Sequence, residues 1–330
     1  MALRAVVVGC GFIGAGEVVA GSGIQSHAAA WSRHPETRLV GLCDIDATRL
    51  ATASARWPGV PTFTDLDRLL TAIRPDLVSV CTPDETHVSV LERVLACGSV
   101  RAVLAEKPLA LEAAAAERVA ARAAARGVML AVNYGRRSAP THRRLRDFLA
   151  EAPIGVIEVV RGAYVGGVKH NGTHWLDLAR FLLGEIVSVR GSGRVAPGED
   201  DPTIDVELAF ATGVRGFLAG IRSARYGFFE MDLVGSEGRV RVTDSGQRIE
   251  VLRPRDSRRF PGFRELAASG GPAGGLADLV LHAATDLVDA LASNRPPAAT
   301  ALDAIRVLRL AEDAVATAMI EDRHDASLRC

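Results

Sequence analysis

The stretch RAVVVGCGFIGAG, residues 4–16, places a short β-branched run directly before a glycine-rich turn. Gly9, Gly11 and Gly14 have the spacing G-x-G-x-x-G, and helix-like sequence follows them, which is the context that the dinucleotide-binding fingerprint requires. Such glycines allow a tight turn and a close backbone approach to a pyrophosphate at a helix N-terminus. We therefore predict that this turn, including Phe12 and Ile13, binds a dinucleotide. The alternative is that the glycines serve only the turn.

The first 130 or so residues alternate between apolar strand-like runs and helix-like segments. The strand-like runs are residues 4–9, 39–44, 77–82, 103–106 and 128–133. The helix-like segments are residues 26–34, 47–56, 66–73, 87–97 and 111–126. Strands that are apolar on both faces and alternate with amphipathic helices indicate a parallel sheet. We predict an α/β chain whose N-terminal domain, residues 1–133, is a Rossmann domain with a doubly wound parallel sheet.

The pattern changes after about residue 150, where strand-like runs follow one another across short turns. These runs are residues 155–164, 186–195, 204–210, 215–221, 228–234, 238–243 and 248–252. The segments 210–216 and 243–248 have the composition of hairpin turns, and 253–275 that of a loop. Helices are expected near 276–293 and 301–321. We predict that residues 134–330 form an α+β substrate-binding domain with a large, mostly antiparallel sheet, whose C-terminal helix can pack back on the first domain.

Length and composition restrict the class of protein. A chain of 330 residues is long for one hydrophobic core, and 48% hydrophobic with 24% charged residues is typical of a soluble globular protein. The formal net charge is zero, so neither a nucleic acid nor a membrane is expected as a partner. The N-terminus has no signal-peptide pattern, which favours the cytoplasm. The five cysteines form no C-x-x-C pair, so we expect buried thiols and no metal site.

Several polar residues fall where predicted parallel strands end, the edge at which open α/β sheets bind ligands. Asp44 can bind the ribose hydroxyls and repel a 2′-phosphate, so the expected cofactor is NAD rather than NADP. Asp44 lies thirty residues after Gly14, more than the usual spacing of about twenty, which we attribute to an inserted loop at 17–25. After the third strand, Thr82 and Pro83 can line the cofactor cleft. His87 either binds there too or simply begins the next helix.

The segment AEKPL, residues 105–109, ends the fourth strand at the same edge. Glu106 and Lys107 are expected beside the cofactor, with Lys107 directed into the cleft and able to exchange a proton with a substrate hydroxyl. From spacing alone, an exposed lysine is the simpler interpretation. Tyr134 and Arg136, with Arg137, follow the fifth strand and can meet a hydroxylated or anionic substrate; the alternative for the arginines is a surface ion pair.

The stretch VKHNGTHWLD, residues 168–177, contains two histidines four residues apart. Zinc metalloproteases share this spacing, but they need a glutamate directly after the first histidine, where this chain has Asn171. Gly172 is also a poor residue for the interior of a metal-binding helix. Trp175, Leu178, Phe181 and Leu182 fit the buried face of a helix.

Taken in order, the fingerprint, the strand-ending aspartate, the segments TP…H and EKP, and this histidine–aspartate helix resemble the glucose–fructose oxidoreductase / inositol dehydrogenase / rhizopine catabolism family. The resemblance covers nearly the whole chain, including residues 235–240 and 294–312. It implies that Lys107 and His174 are catalytic and that His170 and Asn171 contact the substrate. Many members of that family carry an aspartate at the position of His170, so the substrate and the proton relay are left open.

The resemblance implies an NAD(H)-dependent oxidoreductase that interconverts a secondary alcohol and a ketone. The substrate would be a sugar, amino sugar, cyclitol or nucleotide-linked sugar. It also implies a homodimer or homotetramer that assembles through the exposed face of the large sheet. Two alternatives remain open at this point. One is a non-sugar substrate such as a dihydrodiol or a tetrapyrrole like biliverdin. The other is a non-catalytic, dinucleotide-sensing regulator, which would not need Lys107 and His174.

Overall fold

The computed structural model describes residues 2–16, 23–222, 225–272 and 274–328. These residues form two compact units. The first comprises Met1–Ala139 and Ala277–Arg306, and the second comprises Pro140–Leu276 and Val307–Cys330. The first unit thus includes a segment that follows the sheet of the second unit along the chain. Residues 17–22 of the predicted insertion, and Cys330, lie outside the described residues.

The first unit is built on a six-stranded sheet in which every neighbouring pair is parallel. The order is β3-β2-β1-β4-β5-β6. Its strands are β1 Leu3–Val8, β2 Thr37–Cys43, β3 Thr62–Phe63, β4 Leu77–Val80, β5 Ala102–Ala105 and β6 Met129–Val132. The predicted doubly wound parallel sheet is confirmed. Strand β3 was not predicted, because two residues at the sheet edge carry no periodic pattern.

Both units contain helices. They are α1 Phe12–Ala15, α2 His27–Arg33, α3 Ala47–Arg56, α4 Leu66–Ile73, α5 His87–Ala96, α6 Ala113–Ala125, α7 Pro140–Ala150, α8 Thr173–Leu183, α9 Leu279–Ser293 and α10 Ala301–Leu328. Helices α3 and α4 begin where Asp46 and Asp65 accept hydrogen bonds from first-turn N–H groups. None of the helices in the described part of the chain is both long enough and apolar enough to cross a membrane.

Helix α2 is joined to the fingerprint turn by a hydrogen bond that closes the predicted insertion. The Ser26 hydroxyl accepts from the N–H of Ala29, which caps α2, and donates to the carbonyl of Gly16 at 3.0 Å. The two ends of the extra segment therefore meet. The N–H of Ile24 donates to Asp278 at 2.7 Å, next to the start of α9. Helix α2 packs against α9, and its small residues, such as Ala28, allow a close approach. Trp31, on the same helix, is fully buried.

The second unit is built on an eight-stranded sheet. Its strands are β7 Ile157–Val165, β8 Ile186–Ser192, β9 Asp205–Phe210, β10 Arg215–Ile221, β11 Phe229–Gly235, β12 Gly238–Thr243, β13 Arg248–Asp256 and β14 Arg264–Ala268. The order is β14-β13-β12-β11-β7-β10-β9-β8, and only β7 and β10 pair in parallel among these strands. The predicted mostly antiparallel sheet is confirmed. The predicted turns at 210–216 and 243–248 join antiparallel neighbours, as expected.

The loop predicted at 253–275 is wrong in part. Strand β13 continues to Asp256, and β14 pairs with this extension. The strand was not predicted beyond residue 252, because Pro254 has no backbone N–H to donate a hydrogen bond to a neighbouring strand. It is tolerated here because β12 pairs with β13 only as far as Leu252, so beyond that point β14 is the neighbour. The arginine-rich helix α7 was also not predicted; its buried residues include Leu145 and Leu149.

Candidate active site

The glycine-rich turn has the conformation that a dinucleotide fingerprint needs. Gly9 has φ of 93°, and a Cβ there would collide with the carbonyl of Cys81. A Cβ on Gly14 would collide with the carbonyl oxygen of Gly9. Around Gly11, by contrast, a Cβ would meet nothing within 4 Å. Gly9 and Gly14 thus let the turn fold tightly against the end of β4, while Gly11 leaves open space beside the backbone.

Asp44 ties this turn to the end of β2. Its Oδ2 accepts from the backbone N–H of Cys10 at 2.7 Å, and its Oδ1 accepts from the N–H of Asp46 at 2.9 Å. The side chain is buried. Each carboxylate oxygen has a second lone pair, so both retain acceptor capacity for a ligand. The expected ribose contact remains a prediction. The next residue, Ile45, is 91% exposed although its side chain is apolar.

The cysteines near the turn are neutral thiols. Burial raises the pKa of Cys10 to about 12, and the neighbouring Asp44 charge adds to the shift. Burial likewise raises the pKa of Cys43 to about 11 and that of Cys81 well above its ordinary value. Cys10 and Cys43 are buried, as predicted, whereas Cys81 and Cys97 are partly exposed. Within the described ranges, no three His, Cys, Asp or Glu side chains are grouped as ligands for a metal.

The loop after β4 is held to the loop after β5 by His87. This first residue of α5 is fully buried, with Nδ1 2.7 Å from the carbonyl of Pro108 and Nε2 2.8 Å from that of Thr82. Both ring nitrogens are therefore occupied by backbone, and a cofactor contact by His87 remains a prediction. Thr82 Oγ1 is buried without a hydrogen-bond partner in the described part of the chain. Pro83 follows it on the surface.

Lys107 is the second residue after β5, is partly buried, and is joined to Pro108 by a cis peptide bond. The chain contains 39 lysine and arginine residues, and only Lys107 and Lys169 among them are lysines. Arginine stays charged in proteins, whereas lysine can release its proton. Both lysines lie in the segments singled out for chemistry.

Glu106 lies in a buried polar network that the sequence analysis missed. Its Oε1 accepts from Asn133 Nδ2 at 2.7 Å and lies 2.9 Å from His27 Nε2. His27 Nδ1 is 2.8 Å from Ser79 Oγ, which accepts from Trp31 Nε1 at 2.7 Å. A signal was present for one member: Asn133 directly follows β6 as Glu106 directly follows β5, at the ligand-binding edge of a parallel sheet. His27, after the insertion, offered none.

Burial acts to raise the pKa of Glu106, but hydrogen bonds from His27 and Asn133 and the nearby charges outweigh burial and lower it. The carboxylate is therefore ionised. Its expected contact with the cofactor remains a prediction.

The residues after β6 are more buried than expected. Tyr134 is 2% exposed, and Arg136 is partly buried. Arg137 forms a buried ion pair with Asp303, with 3.4 Å between Nη1 and Oδ1. A surface ion pair is therefore wrong for Arg137. Substrate contacts by Tyr134 and Arg136 remain predictions.

In the second unit, α8 carries His174 and is anchored by its tryptophan. The Trp175 indole N–H donates to the carbonyl of Glu230 at 3.0 Å, and the ring occupies the space that a Cβ on Gly162 would need. Trp175, Leu178 and Leu182 are buried, as predicted. Phe181 is partly exposed and lies 5.0 Å from the guanidinium of Arg146. His174 is therefore fixed by a helix packed firmly on the sheet.

One turn of π-helix, Val168–Gly172, leads into α8. The carboxylate of Asp201 accepts from the N–H of Lys169 at 2.6 Å and from that of His170 at 3.0 Å. Burial raises the pKa of Asp201, and these two N–H groups act in the opposite direction. Asn171 Nδ2 donates to the carbonyl of Val165 at 2.7 Å. His170 is exposed and His174 is partly buried. Their predicted roles, and that of Asn171, remain predictions.

Comparison with known proteins agrees with this geometry. Residues 3–134 match the family model described as "Oxidoreductase family, NAD-binding Rossmann fold", and residues 158–241 match "GFO/IDH/MocA C-terminal domain". The chain belongs to the GFO/IDH/MocA oxidoreductase family. The resemblance drawn from the motifs is confirmed.

Named members of the GFO/IDH/MocA family are similar along most of the chain. Inositol 2-dehydrogenase of Rhizobium meliloti strain 1021 is 33% identical over 258 residues, which are 70% of this chain and 74% of the relative. The structure of GenD2 from gentamicin A biosynthesis, in complex with NAD, has 26% identity and a TM-score of 0.75, covering 96% of this chain and 94% of that one. UDP-N-acetylglucosamine 3-dehydrogenase from Acidithiobacillus ferrooxidans shares the fold, with 23% identity, a TM-score of 0.76 and coverage of 96% and 98%.

Proposed function

We propose that this GFO/IDH/MocA protein is an NAD(H)-dependent dehydrogenase that interconverts a secondary alcohol and a ketone on a sugar, amino sugar, cyclitol or nucleotide-linked sugar. The observation that carries the proposal is Lys107 at the end of β5, in the unit that holds the dinucleotide fingerprint. In a chain that otherwise relies on arginine, this position keeps a cation able to lose its proton. The relatives that act on inositol and on a nucleotide-linked amino sugar support the substrate class.

The residues at the fingerprint fit NAD. Gly11 leaves open space for a pyrophosphate, Thr82 Oγ1 is a buried hydroxyl without a partner in the described ranges, and Asp44 keeps lone pairs for ribose hydroxyls. The exposed side chain of Ile45 offers an apolar surface for an adenine ring. The Asp44 carboxylate would repel a 2′-phosphate, so we assign NAD rather than NADP. When bound, the nicotinamide supplies the acceptor or donor of a hydride.

In alcohol oxidation the substrate loses one hydride and one proton. We assign the proton to the neutral amine of Lys107, which becomes an ammonium group as the C–O bond gains its double-bond character. His174 is assigned to orient the hydroxyl, with His170 and Asn171 contacting the rest of the substrate. The π-helical turn held by Asp201 gives these side chains a fixed backbone, which a positioned acid–base pair needs.

The test is a panel of sugars, cyclitols and nucleotide-linked sugars, scored by the absorbance of the reduced cofactor. We expect at least one polyol to be oxidised with NAD, and the Lys107→Met enzyme to bind NAD but not turn over. If no member is oxidised while dihydrodiols or biliverdin react, the substrate class is wrong. Binding of NAD without turnover of any substrate would support a regulator instead.

We also propose a homodimer or homotetramer that assembles through the outer face of the eight-stranded sheet. On that face Phe217 is 43% exposed, and Asp232 lies between Arg161 and Arg239. Light scattering after size-exclusion chromatography gives the mass directly, and a monomer would contradict this assignment. The cytoplasmic location remains a prediction.

A further inference from the structure

Strand β14 forms one edge of the eight-stranded sheet, and no described strand pairs with its outer side. The N–H of Ser257 donates to the carbonyl of Phe263 at 2.9 Å, and the pairing of β13 with β14 continues from there without a shift. The N–H and C=O groups of alternate residues in β14 therefore point away from β13. These residues are Arg264, Leu266 and Ala268. Such an edge is a template for another strand.

The opposite edge of the same sheet is covered by a helix. There the N–H of Gly191 on β8 donates to Thr317 Oγ1 on α10 at 2.7 Å. A Cβ on Gly191 would collide with the carbonyl of Ala314 on the same helix. On β14, by contrast, the last three residues, Leu266–Ala268, carry no charge, and Leu266 is 45% exposed. The β14 edge therefore lacks the cover that proteins usually give to an edge strand.

The tip of the β13–β14 hairpin presents two aromatic rings. Phe260 and Phe263 flank a Pro-Gly turn, in which the N–H of Phe263 donates to the carbonyl of Phe260 at 3.1 Å and Gly262 has φ of 84°. The rings meet edge to face and are 63% and 71% exposed. Arg258 and Arg259 precede them, and neither has an ion pair within the described residues. Exposed aromatic and arginine side chains on a fixed turn are typical of interface hot spots.

A groove of about 510 Å³ lies at the base of the same hairpin, between α7 and β13. Phe148, Val251 and Pro272 form its apolar wall, and Ser269, the residue directly after β14, also lines it. Its remaining side chains include two carboxylates and two guanidinium groups, from Asp147, Glu151, Arg144 and Arg253. Glu151 is exposed and has no ion pair among the described residues. The groove thus offers an apolar surface and an unpaired negative charge.

We propose that β14 pairs antiparallel with β14 of a second copy of this chain, with Leu266 opposite the partner's Leu266. In this register each outward-pointing residue donates one N–H and accepts at one C=O across the contact. Glu265 lies opposite the partner's Ala267. Moving the centre of the pair one residue back would instead place Glu265 against the partner's Glu265, and like charges directly opposite are destabilising.

The same register brings the tip of each hairpin to the groove of its partner. Phe263 falls opposite the partner's Ser269, which lines that groove. The two tip rings then pack against the partner's Pro272, and the two unpaired tip arginines approach the partner's Glu151. A two-fold contact makes each of these interactions twice. The contact uses the edge of the sheet rather than its outer face, and it does not depend on the dehydrogenase function.

Pairs of engineered cysteines test the register directly, in a chain that carries Cys97→Ser and Cys330→Ser. We expect a mixture of Glu265→Cys and Ala267→Cys proteins to form a disulfide between two chains, because opposite residues at these positions lie about 4.5 Å apart. Each variant alone should stay unlinked. Mild oxidation followed by electrophoresis without reductant shows the result. Self-linkage of Glu265→Cys alone would contradict the proposed register.

A proline on β14 tests the backbone contact. Leu266→Pro removes an N–H that points away from β13, so the hairpin itself keeps its hydrogen bonds. We expect this variant to halve the mass of the assembly measured by light scattering. Leu266→Thr keeps the N–H and should keep the mass. The cysteine mixture gives an independent answer if the proline variant folds poorly.

A charge reversal tests the groove. Glu151→Lys should raise the dissociation constant of the contact by roughly tenfold, because it places a cation beside the tip arginines. Glu92→Lys, on the exposed side of α5, is the matched control and should leave this constant unchanged. Phe217→Arg, on the outer face of the sheet, should not prevent the cysteine linkage. A mixture of the two cysteine variants that gives no linked pair would overturn the inference, whatever the mass of the wild type.

Discussion

Asp44 and Cys10 are joined by a hydrogen bond of 2.7 Å from the backbone N–H of Cys10 to Oδ2 of the carboxylate. This bond links the end of the second strand to the middle of the fingerprint turn. The residue assigned to cofactor selection therefore also holds the turn that would cradle the pyrophosphate. Cofactor choice and the shape of the turn depend on one side chain.

For Asp44 we expect wild-type protein to bind NAD(H) more tightly than NADP(H). Asp44→Asn should weaken NAD binding by roughly tenfold to a hundredfold, which corresponds to the loss of a hydrogen bond to a charged group. The ratio of the affinity for NAD to the affinity for NADP should fall as well. Fluorescence titration with both cofactors measures this. Asp46→Asn, one residue beyond Ile45, is the control and should keep the preference. Tighter binding of NADPH by the wild type would contradict the assignment of NAD.

For Lys107 and His174 we expect each alanine variant to lower kcat by about two to four orders of magnitude, as for a positioned acid–base group. Lys107→Arg should be as inactive as Lys107→Ala, because arginine keeps its proton. The double alanine variant should lose much less than the product of the two losses, since groups that act together are not additive. Steady-state kinetics with cofactor titration tests this, and a Lys107→Ala enzyme of near-normal kcat would remove the mechanism.

For His170 we expect a different kinetic signature. If this exposed residue contacts only the substrate, His170→Ala should raise KM and leave kcat nearly unchanged, because the contact is equally strong in the ground and transition states. The same kinetic series gives the answer. A loss of kcat equal to that of His174→Ala would place His170 in the proton transfer itself.

For the thiols we expect slow reaction with a disulfide reagent at neutral pH. The pKa of Cys10 is raised to about 12 and that of Cys43 to about 11, so almost no thiolate, the reactive form, is present. Labelling followed by peptide mass analysis should show Cys97, which is partly exposed, modified before Cys10 and Cys43. Cys97→Ser should remove that early modification. Rapid labelling of Cys10 in the folded protein would show that the turn is open.

For Asp232 we expect a pH-dependent contribution to stability. Burial acts to raise its pKa, but Arg239 and Arg161 outweigh burial and lower it. A carboxylate with a lowered pKa stabilises the fold above the unfolded-state pKa of about 4, and this contribution is lost as the pH falls through the lower folded value. Asp232→Asn should therefore cost about 1–3 kcal/mol at pH 7 and less near pH 3.

Chemical denaturation at several pH values measures the free energy of unfolding of Asp232→Asn. Glu207→Gln, an exposed position on β9, is the matched control and should change stability by no more than about 0.5 kcal/mol. Equal losses at both pH values would mean that Asp232 acts by packing rather than by charge.

The parallel sheet and the fingerprint were predictable because their signals are local. A strand, its turn and the first glycines occupy adjacent residues, and a glycine is required at position 14 by a contact with Gly9 inside the same turn. The same holds for the hairpins of the second sheet. Local patterns of hydrophobicity and glycine are what a single sequence displays directly.

The polar network around Glu106 was not predictable in the same way. His27 is 79 residues from Glu106, and Asn133 is 27 residues away on the other side. No spacing rule connects them, because their meeting depends on strand order and on the helix that covers the sheet. The assignment of residues 277–306 to the first unit has the same origin. Such features depend on contacts between residues far apart in the chain, and these contacts cannot be read from the pattern of a single sequence.

The scarcity of lysine also makes the second unit accessible to a simple measurement. The chain has two lysines, so a protease that cuts only after lysine gives few fragments, and their masses identify cleavage of the bond after Lys169. That bond lies in the π-helical turn whose N–H groups are held by Asp201. Cleavage requires the turn to leave this conformation, so its rate under mild conditions reports local opening of the segment that leads to His174. The rate of cleavage after Lys169 would then measure how rigidly the protein holds that histidine.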